Sequence, residues 1–396
     1  MTGMEDEAPL SVERYRVRQA GARRRFKRRG MLSLAWGLVG IALLEALVNF
    51  TVDRIEPALR EPEYGRKLAF LRDQVRQAPD RPLMLLLGSS RTAYGLRSDT
   101  VFADQAADAP LVYNFGILGG GPVYELVYLH RLLDAGIRPR WVVIEVHPGL
   151  LNEAPELAAG HIPAIERCDA RDLCVLNEYL ENPLATWQHW LRYRAAACYE
   201  LRSEFIRRYA ASWAPARTGL DLVNLNLMRL DLTTPLGWVP LSWPRPDEAL
   251  RKQRAEMCRQ AYAPGYRDFE VSARTDRALR EMLSICRSEG ISAALLLMPE
   301  AEETRDGDVI RAQEKLGHYL AGLKNEYGVP VFDASHWCDD TDFGDGQHLL
   351  AEAAAGLSSR LGDEALGTWI ASSSPGRADR FGTAAIAARR QAEAKR

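Results

Sequence analysis

Five stretches of this chain are built around short continuous apolar runs, without the polar alternation of a half-exposed strand. They read PLMLLLG (82–88), LVYNFGI (111–117), RWVVIEVHP (140–148), ISAALLLMP (291–299) and VPVFDAS (329–335). A strand covered on both faces has no need to alternate, and helical patterns separate these runs, as in Pro122 to Ala135, which Gly136 ends. The expected fold is therefore α/β: a three-layer α/β/α arrangement around a five-stranded parallel sheet. Between the third and fourth runs the rhythm stops. Residues of about 150–265 are rich in Trp, Arg, Tyr and Pro, as in WQHWLRYRAAACYELRSEFIRRYAASW, and read as a largely helical insertion. Its aromatic and arginine side chains suit either a sugar-binding cleft or a helical cap packed on the domain.

The N-terminal end obeys a different constraint. Residues 14–29, RYRVRQAGARRRFKRR, carry only positive charges, and MLSLAWGLVGIALLEALVNF (31–50) follows with Glu45 as its one charged residue. Twenty apolar residues match the hydrocarbon thickness of a bilayer. We therefore expect a basic tail over 1–30, a transmembrane anchor over 31–51, an α/β domain over 60–370 and a disordered tail over 371–396. The basic flank places the N-terminus in the cytoplasm and the rest of the chain across the membrane, periplasmic or extracellular. No small-x-small cleavage site follows Phe50, so the segment is expected to stay as an anchor. Glu45 lies about one turn from the outer end, near enough to snorkel to the interface, and is given no further role.

Composition excludes little beyond this. The 51 basic and 53 acidic residues nearly cancel, which gives no basis for a nucleic-acid partner. The six cysteines, Cys168, Cys174, Cys198, Cys258, Cys286 and Cys338, contain no CxxC spacing, so neither a zinc site nor a thioredoxin-type pair is expected. Cys168 and Cys174 could close a short disulfide loop in an oxidising compartment, or all six could be reduced and scattered.

In an open parallel sheet, ligands bind beyond the carboxyl ends of the strands. The first strand delivers Ser89 and Ser90 to that rim. The second delivers Asn114 and then Gly119-Gly120-Gly121 ahead of a helix, and the third delivers Glu145 and His147. After the fifth comes WCDDTDFGDGQHLLAEAA, in which Asp345-Gly346-Gln347-His348 is expected to open the final helix. A serine, an acid and a histidine thus converge on one edge, which is what a nucleophilic triad requires. Each piece alone has a plainer explanation: a strand-ending turn, a helix cap or a packing glycine.

Taken together, LLGSSR, YNFGILGGG and FGDGQHLL resemble the signature blocks of the SGNH/GDSL hydrolases. The resemblance covers roughly 80–150 and 290–362 and leaves the middle unmatched. It is closest to the membrane-anchored branch that modifies cell-envelope polymers, which includes the alginate O-acetylation proteins and the D-alanine transfer protein of teichoic acids. It implies the flavodoxin-like SGNH fold, with Ser90 as nucleophile, His348 as general base and Asp345 orienting the histidine. The N–H groups of Ser90 and Gly119 would form the oxyanion hole, and Ser89 stands where the family usually has Asp. Neither cofactor nor metal is implied. One block departs: the family supplies an asparagine after the third strand, whereas this chain reads VIEVHPGLL and has no Asn before Asn152. Arg91, Asn114 and His147 are the candidate substrate contacts on the rim, each with a structural alternative; Arg91 could pair with Glu145.

The expected function is a membrane-anchored serine acyltransferase or esterase acting on O-acyl groups, acetyl foremost, of an extracytoplasmic cell-surface polysaccharide. The resemblance implies a multi-spanning membrane acyltransferase as a partner. The competing readings are a non-catalytic polysaccharide-binding or assembly protein that keeps the fold, and a membrane-tethered lipase or thioesterase.

Overall fold

The computed structural model describes residues 8–103, 109–152, 162–210 and 232–373, and of 8–27 and 207 the backbone only. These residues fall into two compact units, one drawn from 1–60 and 184–213, the other from 61–183 and 214–396.

The second unit holds the sheet. Helix α2 (Pro62–Gln77) leads into β1 (Leu83–Leu87), and α3 (Ser90–Gly95) follows. Then come β2 (Leu111–Asn114), α4 (Pro122–Asp134) and β3 (Trp141–Glu145). The five strands are all parallel and lie in the order β2-β1-β3-β4-β5, with β4 at Ser292–Leu297 and β5 at Val331–Asp333. This is the doubly wound order 2-1-3-4-5, in which the chain reverses direction between β1 and β3. Every residue of β1, β2 and β3 is buried, which is why those runs could be apolar without alternation. The fifth strand is the shortest and the least covered.

Parity along the strands assigns the two faces. Met84, Leu86, Val112, Trp141, Val143 and Leu296 form one core with Leu357 and Leu361 of the helix Ala351–Leu361 and with Ile370. Leu85, Val142, Ile144 and Leu295 point to the other face and are fully buried there. On that side Tyr113 of β2 donates through its hydroxyl to the Lys67 carbonyl of α2, 2.6 Å away. The helix Ala273–Ser288 before β4 is set by Ser272, whose hydroxyl accepts from the Thr275 N–H at 3.1 Å.

The described residues between β3 and β4 are largely helical, with Pro148–Leu151, Ala170–Leu176, Pro183–Arg194, Ala197–Glu200, Arg202–Tyr209 and Glu248–Tyr266, and irregular over 233–247. Residues 153–161 and 211–231 of the expected insertion lie outside the described residues. So does 374–396 of the tail expected to be disordered, whereas 371–373 end the helix Gly367–Ser372. All six cysteines are free thiols, so the Cys168–Cys174 loop is not closed.

In the first unit, helix α1 runs unbroken over Ala8–Arg54, and its stretch Arg28–Arg54 is long and apolar enough to cross a membrane. Glu45 is more than a snorkelling charge. Its carboxylate accepts the Cys198 backbone N–H at 3.0 Å.

Candidate active site

Ser89 and Ser90 stand where β1 ends, and their backbones turn the chain into α3. Ser89 is the N-cap: its hydroxyl accepts from the Arg91 N–H at 3.2 Å. The same hydroxyl and the Ser89 N–H both donate to the Glu145 carboxylate at 2.8–3.1 Å, as does Thr92 Oγ1 at 2.7 Å. Ser89 is thereby buried and fully occupied. Ser90, at the first helical position, is half-buried, and its side chain faces a different partner. Ser90 Oγ lies 2.8 Å from His348 Nε2, across 258 residues of sequence.

The histidine is held by a closed loop. Phe343 and Leu349 form an antiparallel bridge, and the Gly344 N–H donates to the His348 carbonyl at 2.9 Å. Gly346 takes a left-handed φ of +94°, and a Cβ there would sit 2.6 Å from Thr304 Cγ2, so the turn admits only glycine. Asp345 closes the loop from inside. Its Oδ1 accepts the N–H groups of Gln347 at 3.1 Å and His348 at 2.9 Å, and its Oδ2 lies 2.8 Å from His348 Nδ1. Burial pushes the Asp345 carboxyl up, but the His348 ring and these hydrogen bonds outweigh it, and the group ends below the usual carboxylate range. The four residues do not open the last helix as expected. They complete their own turn first, and that helix begins at Ala351.

The loop after β2 supplies the second wall. Ile117 donates to the Gly88 carbonyl at 2.7 Å, and a Cβ on Gly116 would stand 2.5 Å from the Ala93 nitrogen and 3.0 Å from the Ser89 carbonyl oxygen. The loop therefore rests directly on the backbone that carries the serines. Gly119 has φ of +74° and open space where a side chain would be. Among the described residues, no acceptor takes the N–H of Ser90 or of Gly119.

The three rim residues considered as substrate contacts belong to the interior instead. Asn114, fully buried, donates to the Thr92 and Leu96 carbonyls at 2.7 Å each and accepts from Gly116 N–H at 2.9 Å, which ties the glycine loop to α3. Arg91 is buried too; it donates to the Met298 and Pro299 carbonyls at 3.0 and 2.8 Å and lies 3.9 Å from both Glu145 and Glu300. His147 Nε2 sits 2.8 Å from Glu300 Oε1 and 2.7 Å from the Tyr266 hydroxyl, again out of solvent. All three side chains are turned into the protein and buried, with Arg91 Nε and Nη1 reaching Glu145 and Glu300 only at ion-pair distance and making no hydrogen bond.

Three residues absent from the sequence reading adjoin the site. Tyr94, one turn after Ser90, sets its ring edge-on to His348 with centroids 5.3 Å apart, and burial pushes its hydroxyl up to about 12. Glu63 of α2 accepts the Leu118 N–H at 3.3 Å, and Lys67, one turn on, donates to the Gly116 carbonyl. Removal from water raises the Glu63 carboxyl and lowers the Lys67 ammonium. Only the i,i+4 spacing of Glu63 and Lys67 was visible beforehand, and that spacing ordinarily marks a solvated helix face. The wall beyond the histidine comes from the segment after residue 231: Leu241 and Trp243 pack on Gly344, and Val239 N–H donates to the Ala93 carbonyl at 3.1 Å.

Residues 58–353 match the family described as "Protein of unknown function (DUF1574)", and the chain belongs to that family. The match includes β1 to β5, both serines, the glycine loop and the Asp345–His348 turn. A search of curated proteins finds no match.

Proposed function

We propose that this protein is a serine acyltransferase or esterase of the SGNH/GDSL type, held in the membrane by α1, that works on O-acyl groups of a cell-envelope polysaccharide. One observation carries the reading. Ser90 Oγ, His348 Nε2, His348 Nδ1 and Asp345 Oδ2 form an unbroken line with steps of 2.8 Å at each hydrogen bond, on the rim where α/β sheets bind ligands.

The chemistry follows from that line. Ser90 Oγ attacks the acyl carbonyl carbon while His348 Nε2 takes the hydroxyl proton, and Asp345 stabilises the imidazolium through Nδ1. The Ser90 and Gly119 N–H groups hold the oxyanion, each worth a few kcal/mol where such donors have been removed from other enzymes. Collapse breaks the ester bond, His348 returns the proton to the departing alcohol, and the acyl group remains on Ser90. A water or sugar hydroxyl then attacks the acyl-serine, giving its proton to His348; the bond from the acyl carbon to Ser90 Oγ breaks, and His348 passes the proton back to Ser90 Oγ. Water makes the protein an esterase, and a sugar hydroxyl makes it a transferase. Nucleophile, base and oxyanion donors all come from the chain, so the reaction calls for no cofactor.

The basic residues before Arg28 favour a cytoplasmic N-terminus, which puts the triad on the periplasmic or extracellular side. A membrane protein that exports the acyl group is the matching partner, and the polysaccharide is the acceptor. The rival, non-catalytic reading draws on the third strand, which sends no asparagine to the rim.

A fluorophosphonate probe tests the nucleophile: wild-type protein is labelled and Ser90→Ala is not. Equal labelling of the two removes Ser90 from the mechanism. Following acetyl release and acetyl transfer with purified polysaccharide then separates esterase from transferase.

A further inference from the structure

The helices Pro183–Arg194, Ala197–Glu200 and Arg202–Tyr209, named here α5, α6 and α7, attach to the last turns of α1. Asn49 Nδ2 donates to the Arg194 carbonyl at 2.8 Å, and Arg194 returns a bond to Asn49 Oδ1 at 3.2 Å and pairs with Asp53. Glu45 accepts the Cys198 N–H, and Val48, Val52 and Leu59 share a small core with Ala197, Leu201 and Phe205. These contacts fix the level of the three helices along α1. They meet it at residues 45–53, the end of the membrane-crossing stretch Arg28–Arg54, and reach Leu59 just beyond it.

That level is informative. Twenty-seven helical residues extend about 40 Å at 1.5 Å each, roughly 10 Å more than a hydrocarbon core. The final turns therefore stand at the boundary between acyl chains and headgroups. The side chains that α5–α7 turn outward suit that boundary. Leu184 and Leu191 are 70% and 56% exposed, and with Trp187 they occupy positions i, i+3 and i+7 of one helical face. Trp187 and Trp190 meet edge to face at 5.5 Å. Tyr199, Ile206 and Tyr209 are exposed on α6 and α7, and the Arg202 guanidinium lies over the Tyr199 ring at 3.6 Å. Leucine, tryptophan, tyrosine and arginine together are the composition of an interfacial segment, which has apolar bodies and wet or cationic tips.

We infer that α5–α7 form a second membrane contact, a collar around the end of α1 whose Leu184, Trp187 and Leu191 enter the phospholipid headgroup–acyl boundary. Glu45 and Asp53 take on a purpose in this arrangement. They are the polar brackets that dock the collar on the span: Glu45 accepts the Cys198 N–H, and Asp53 pairs with Arg194 of the collar as well as with Arg60.

The full-length protein, reconstituted in phosphatidylcholine–phosphatidylglycerol vesicles containing a lipid with a photoreactive acyl tail, provides the test. After irradiation, lipid adducts should map by mass spectrometry to peptides of 28–54 and also to 184–194. Leu184→Glu combined with Leu191→Glu should abolish the second set and leave the first, which shows that the span is still inserted. Adducts confined to 28–54 in the wild type would overturn the inference, as would collar adducts unchanged in the double variant. A chain-to-chain adduct through α5 in place of a lipid adduct would assign the face to a second copy and overturn it equally.

Discussion

Asp345→Asn is the substitution that separates a working triad from a decorative one. In the wild type, Oδ1 accepts two backbone N–H groups at 2.9 and 3.1 Å, and Oδ2 faces His348 Nδ1 at 2.8 Å. An asparagine has one oxygen and one NH2 to distribute. Turning the NH2 toward the two backbone donors forfeits two hydrogen bonds, whereas turning it toward the ring forfeits none, provided Nδ1 becomes the acceptor. The amide therefore settles with its NH2 on Nδ1, which moves the imidazole proton to Nε2. Nε2 then presents an N–H to Ser90 Oγ and can no longer take the hydroxyl proton. The corresponding change in a serine protease lowers kcat about 10⁴-fold with the geometry intact. In this site that is a barrier increase of about 5 kcal/mol. The turn itself survives, because Oδ1 still accepts both N–H groups, and the loss of the charge should lower stability by only about 1 kcal/mol. The measurements are kcat on a short-chain aryl ester, the rate of fluorophosphonate labelling, and the thermal unfolding midpoint. A variant with near-normal Tm that hydrolyses and labels within tenfold of wild type would refute the reasoning.

Two further substitutions test neighbouring claims. Ser89→Ala removes an N-cap and a donor to Glu145, and should cost about 1–2 kcal/mol in stability while leaving fluorophosphonate labelling in place; loss of labelling in a folded Ser89→Ala protein would mean that the two serines have been assigned the wrong way round. Glu63→Gln addresses pH. The folded-state value of Glu63 is raised above its ordinary 4.5, so its contribution to stability is fully present below that ordinary value and is lost as pH rises through the raised one. Lys67 acts with the opposite sign in a higher window, since its lowered folded value favours stability as pH rises through it toward 10.5. Thermal unfolding from pH 4 to pH 8 should therefore show a decline in the wild type that the glutamine variant lacks; parallel curves would contradict this.

What the sequence disclosed is what depends on local pattern. Strands β1 to β4 were legible because burial on both faces leaves an unbroken apolar run, β5 by its short run after a helix, and the position of each strand's end brought Ser90 to the same edge as Asp345 and His348. The details that escaped depend on partners far away in the chain. The pairing of Arg91 with Glu145 was among the sequence alternatives and the two lie 3.9 Å apart, but Glu300, three residues beyond β4, which also holds His147, was not foreseen. Nothing near Arg91 signals a carboxylate from more than 200 residues later. Glu63 and Lys67 went unremarked in the sequence, and only the fold sets the glycine loop against them. The union of 184–210 with α1 was equally hidden, since Arg194 and Asp53 are separated by 141 residues. The final turn was misjudged for a local reason: Asp345 caps its own loop through Gln347 and His348, and the helix has to wait until Ala351.

The missing asparagine looks different in the light of what β3 delivers. Glu145 takes the Ser89 N–H, the Ser89 hydroxyl and the Thr92 hydroxyl, and so braces the backbone on which Ser90 stands. Beneath it Arg91 bridges toward Glu300, which also holds His147, Tyr266 and Gln313. Removing one member of such a buried set typically costs 3–5 kcal/mol, because a charge is left without its partner. The third strand thus serves rigidity where the SGNH/GDSL pattern that the sequence resembles has a third oxyanion donor. The proposed catalytic reading draws on this bracing of Ser90 and on the left-handed Gly119, whose N–H has no acceptor among the described residues. In the mechanism proposed above, the Ser90 and Gly119 N–H groups would hold the oxyanion without a third donor, which slows attack by water and by a sugar hydroxyl alike.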